Sequence, residues 1–130
     1  MKIELSPRRV MEAYQAMYEL SGQVFPYKTA RAVMALKKRI GEEFDTALDM
    51  ENTLLREFGG EKDEAGRFSF PDREAEAGFL EKYRAAMDET AEVRLPRLDL
   101  SRYAGNMRLS ARSLEALEGI VRFEKETADG

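Results

Sequence analysis

The chain has 130 residues, 43% hydrophobic and 35% charged, with a net charge of -4 and neither histidine nor cysteine. That length suits one domain able to bury a core, and the missing residue types exclude disulfides, thiolate zinc sites, thiol nucleophiles and imidazole bases. No apolar run approaches the roughly 18 to 20 residues that cross a bilayer, and the Met1-Lys2-Ile3-Glu4 start lacks signal-peptide zones, so a soluble cytoplasmic protein with no membrane partner is expected.

Ile3 and Leu5 alternate with Lys2 and Glu4, which suits one short strand. Ser6 offers a hydroxyl N-cap and Pro7 fits the first helical position, so a helix is expected over about 7–21. Val10, Ala13, Tyr14, Met17 and Leu20 form its buried stripe, and Gly22 suits a left-handed cap. A second helix is expected over about 26–58, with Ala30, Val33, Leu36, Ile40, Phe44, Leu48, Leu55 and Phe58 on one broad face. It would be roughly 48 Å long at about 1.5 Å per residue. Gly41 permits a bend without requiring a break. Glu51 falls where the stripe would next be apolar and is read as the point where it drifts around the helix.

Gly59 and Gly60 end that helix, and Arg67-Phe68-Ser69-Phe70 alternates like a strand, so a small hairpin is expected over about 60–70. Pro71, Asp72 and Glu74 open a helix over about 71–90 that buries Ala75, Phe79, Tyr83, Ala86 and Met87. Residues 92–100 read as an extended segment interrupted by Pro96, with the 3–5 strand as its available partner. Ser110 caps a last helix over about 110–124, with Leu114, Leu117, Ile120 and Val121 inward, and the tail from Glu124 frays. The fold class is therefore mainly α: one domain over 1–130, an antiparallel helical bundle with one long helix, a small β-hairpin between the two longest helices and a short edge strand.

Charge is unevenly spread. Residues 1–41 hold eight Lys or Arg against three Glu, residues 42–92 hold sixteen acids against six bases, and residues 93–130 hold seven bases against six acids. The middle of the chain is an acidic arm, read first as solvated helix faces and second as a surface for a basic partner.

The Met1 to Leu5 opening, the Val24-Phe25-Pro26-Tyr27-Lys28 lead-in to a long helix, the Gly60 to Gly66 turn, Glu92-Val93-Arg94-Leu95, and Leu109-Ser110 before Leu114-Glu115-Ala116-Leu117 follow one order. That order resembles a family of small uncharacterised proteins of tailed bacteriophages and prophages. The resemblance implies a viral protein in the bacterial cytoplasm, and it carries no catalytic motif onto this chain.

Three functional classes follow. Glu42, Asp45 and Asp49 share a helix face and could hold Mg²⁺ in the manner of an all-helical nucleotide pyrophosphatase, but neither Asp72 with Glu76 nor Asp88 with Glu92 makes the matching set, so no metal or cofactor is expected. Nucleic-acid binding would rest on Lys28, Arg31, Lys37, Lys38 and Arg39 and on Arg94, Arg97, Arg102, Arg108 and Arg112, and a pI near 5.1 disfavours it. The leading expectation is a non-enzymatic interaction protein that binds itself as a homo-oligomer or a virion or host protein. Phe25, Tyr27, Phe68, Phe70 and Tyr103 are the candidate partner-binding residues, against the plainer reading that Phe68 and Phe70 cap the helical core. An inhibitor of a host nucleic-acid-handling enzyme, acting through the acidic arm, is the alternative. The interaction reading assumes that the apolar ridge over residues 30–58 outreaches what its own chain covers.

Overall fold

The computed structural model describes residues 1–124 and is mainly α. Strand β1 (Lys2–Leu5) leads into helix α1 (Pro7–Ser21), where the Ser6 hydroxyl accepts from the Arg9 amide. Helix α2 (Tyr27–Glu57) is continuous through Gly41. An added Cβ at Gly41 would stand 3.2 Å from the Tyr14 ring, so the missing side chain seats α1 against α2.

After α2 come β2 (Glu61–Lys62) and β3 (Phe68–Ser69), paired antiparallel around a turn in which the Asp63 amide donates to the Arg67 carbonyl. Helix α3 (Arg73–Asp88) starts at Asp72, whose carboxylate accepts from the Ala75 amide. Strand β4 (Ala91–Arg94) pairs antiparallel with β1, Lys2 opposite Arg94 and Leu5 opposite Ala91. Past Pro96, β5 (Leu98–Asp99) runs parallel to β6 (Val121–Arg122), and a 3-10 turn (Ser101–Asn106) and helix α4 (Ala111–Ala116) connect them.

The principal core joins α1, the first half of α2, β4, β5, α4 and β6, with Met17, Leu20, Leu36, Leu100 and Leu117 fully enclosed. A second apolar group fills the far end. Phe79 lies at its centre, 5.0 Å from the Phe70 ring, 5.3 Å from Phe68 and 5.1 Å from Tyr83, with Phe58 edge-on at 6.5 Å. One helix, α2, belongs to both.

Four expectations are corrected. The ridge over 30–58 does not outrun its chain: Val33, Leu36 and Ile40 are buried in the principal core, Phe44 stacks under Tyr14 at 4.5 Å, Leu55 is buried beside Gly60, and Phe58 lies against Gly78 and Phe79 of α3. Glu51 marks no drift of the stripe, because it is itself buried. The last helix stops at Ala116 and does not reach 124: Gly119 turns the backbone at φ 78°, Ile120 enters the core from that turn and Val121 from β6, and Leu114 is left exposed. Gly22 is right-handed at φ -80°, since its amide closes on the Glu19 carbonyl and the Gln23 amide on the Leu20 carbonyl in a tightened last turn. The fraying expected beyond Glu124 lies outside the described residues.

Candidate interaction surface

The five aromatic candidates fall into two groups at opposite ends of α2, whose 31 residues span about 46 Å. Phe68 and Phe70 are half-buried against Phe79, which matches their plainer reading as a cap. At the other end Phe25 is half-buried edge-on to Tyr103 at 5.5 Å, and the Tyr103 and Thr29 hydroxyls lie 3.1 Å apart. Tyr27 alone of the five stands open, 75% exposed.

Other large apolar side chains of the α1–α2 region are exposed as well. Val24 is 98% exposed, Met34 67% and Tyr18 57%. Tyr27, Arg31, Met34 and Lys38 recur at helical spacing, so they occupy one solvent face of α2. Beside that face, α1 and α2 border an open groove of about 660 Å³ lined by Tyr14, Ser21, Met34, Lys37, Lys38 and Asp45 among others. The Tyr14 and Tyr18 hydroxyls meet at 3.2 Å, and that bond, with desolvation, pushes the Tyr14 phenol above its ordinary pKa.

The cations of this region divide. The Lys37 ammonium lies 3.9 Å from the Tyr18 ring centre and donates to the Ser21 hydroxyl, and Arg39 pairs with Glu43 at 2.8 Å and Glu42 at 3.6 Å. Arg31 reaches over the Tyr27 ring at 5.9 Å, and Lys28, Arg31 and Lys38 have no ion pair among the described residues. The same face continues into Glu42, Asp45 and Asp49, all exposed. Among the described residues no three acidic side chains converge as a metal site would require. No helix among the described residues is long and apolar enough to cross a membrane.

Two polar clusters escaped the sequence reading, and both serve packing. Glu51, 5% exposed, accepts from the Tyr83 hydroxyl at 2.9 Å and from the Lys62 ammonium at 3.0 Å. Burial, then the bond to Glu51, pushes the Tyr83 phenol up to about 12. Glu19 accepts from the hydroxyls of Ser113 and Ser110 and from the Ser110 amide, and these donors lower its pKa, the Ser113 hydroxyl foremost. An acid at 51 between Leu48 and Leu55 was the visible signal for the first. The second had none, because ninety-odd residues separate Glu19 from its donors.

Set beside known proteins, the chain matches no family model, no curated protein and no solved structure.

Proposed function

We propose that the protein is a non-enzymatic interaction protein of phage or prophage origin, working in the bacterial cytoplasm. In this reading it binds itself or an assembly partner through the solvent face of α2, on a scaffold of antiparallel helices. The observation that carries it is the exposure of Val24, Tyr27 and Met34 beside Lys28, Arg31 and Lys38, which have no ion pair among the described residues. Exposed aromatic and thioether side chains next to cations are the composition of protein contact surfaces, where Tyr, Met and Arg are enriched. The ridge of α2 is not that surface, since its own chain covers it.

A second reading has its own support. Glu61, Glu64, Glu74 and Glu81 are exposed over the far end without an ion pair among the described residues, a negative field suited to a basic host enzyme. Photo-crosslinking in producing cells separates the two, with the crosslinker placed at Met34 in one variant and at Glu74 on α3 in another. Defined adducts from position 34 alone support binding through α2. Adducts from position 74 alone transfer the role to the acidic arm, and none from either overturns both.

A further inference from the structure

Resting on the reading of the α2 face as a contact surface, we infer that its partner is a second copy of this chain, laid antiparallel along the same face of α2. Eighteen residues make five turns of an α-helix, so Tyr27 and Asp45, Arg31 and Asp49, and Met34 and Asn52 project in the same directions, one above the other. The exposed stripe is therefore continuous along α2, and up to Asn52 it is sorted by charge: Lys28, Arg31 and Lys38 first, then Glu42, Asp45 and Asp49, with Arg56 beyond that run in the last turn.

This order runs against the helix. The macrodipole favours acids near the N-terminus and bases near the C-terminus, yet α2 has no acid in its first turn and reserves its acids for its second half. Within α2 the sorting serves only its junction, where Arg39 pairs with Glu42 and Glu43. It does suit a two-fold axis. Lys38 and Glu42 lie two residues either side of Ile40, and Arg31 and Asp49 lie nine either side. An antiparallel copy centred there sets Lys38 opposite the partner's Glu42 and Arg31 opposite the partner's Asp49, each pair made twice by symmetry. A parallel copy would set like charge on like. A nucleic acid or an acidic peptide would satisfy the first half of the stripe and be repelled by the second.

Exposed ion pairs are individually weak and screened by salt, so the association is modest and salt-labile. Sedimentation equilibrium from about 10 μM to about 1 mM should show the mass climbing from 14.9 kDa toward twice that at low salt. In about 1 M salt the dissociation constant should weaken roughly tenfold or more. Arg31→Glu with Lys38→Glu leaves Lys28 as the one base among the six charged positions of the sorted run, and Glu42→Lys with Asp49→Lys leaves Asp45 as the one acid. Each double variant should be monomeric alone, and an equal mixture should form a one-to-one dimer. The neutral variant Glu42→Gln with Asp49→Asn should also weaken association about tenfold, which covers the case where a reversed chain folds poorly. A wild-type monomer throughout, double variants that dimerise like the wild type, or a mixture that stays monomeric overturns self-docking. A wild-type monomer that still gives a Met34 adduct to another protein overturns self-docking alone, whereas the absence of any adduct removes the interaction reading as well.

Discussion

Glu51 is an acid enclosed among aromatic rings, and it is tolerated because two donors from other elements reach it, the Tyr83 hydroxyl and the Lys62 ammonium. The consequence is written in the titration of Tyr83. With its folded pKa raised from 10.0 to about 12, the unfolded chain releases that proton first, so the stability it supports is complete below pH 10 and is lost between pH 10 and 12. Tyr83→Phe should flatten the fall of the thermal midpoint over that interval, measured by circular dichroism. Glu19 works in the opposite sense. Its pKa is held down by the Ser113 hydroxyl and by the amide and hydroxyl of Ser110, so its contribution is present above the ordinary value of 4.5 and disappears as pH falls through the folded one. Glu19→Gln should reduce the acid sensitivity of folding and, by hydrogen exchange, loosen the amides of α4 before those of α1.

At the scale of elements, the far end closes because Gly60 has no side chain. A Cβ there would stand 2.6 Å from the Phe70 ring and 2.7 Å from the Leu55 side chain, so Gly60→Ala should destabilise by about 1 to 3 kcal/mol in denaturant titration. Gly105, with nothing within 4 Å, is the control, and Gly105→Ala should stay within about 0.5 kcal/mol of wild type. The helix starts were legible in the sequence because capping is local: Ser6, Asp72 and Ser110 each accept from an amide three residues on. So was the pairing of the first strand with 91–94, since alternation around Ile3 and Val93 left little other choice. The end of the last helix was not, because Leu117, Ile120 and Val121 fit a helical stripe, while in the structure Leu117 and Ile120 lie in a turn and Val121 pairs with Leu98 of β5. The contact surface was half legible. Tyr27 is legible as a candidate from its place at a helix entry, whereas the openness of Met34 and Tyr18 follows only from how α1 packs on α2.

Across the whole molecule, two apolar centres share one helix. The principal core draws on both ends of the chain, from Leu5 to Ile40 and from Val93 to Val121, while Phe79 and its ring partners lie outside it. Phe79→Ala removes the ring common to those contacts and should cost about 3 to 5 kcal/mol locally. Hydrogen exchange should then show protection lost over about 51–83 and retained in α1 and the first half of α2, whereas one cooperative loss across all amides would show that the centres do not separate. The long excursion between the two strands of the first sheet also sets an order of events during synthesis. As the chain leaves the ribosome, everything that surrounds Phe79 has emerged by Asp88, whereas β1 waits for Ala91–Arg94 and the principal core for Val121. The part drawn from the middle of the chain is thus the part that can fold first in time, and a nascent chain with its first 90 residues clear of the ribosome would present a finished tip on an unfinished base.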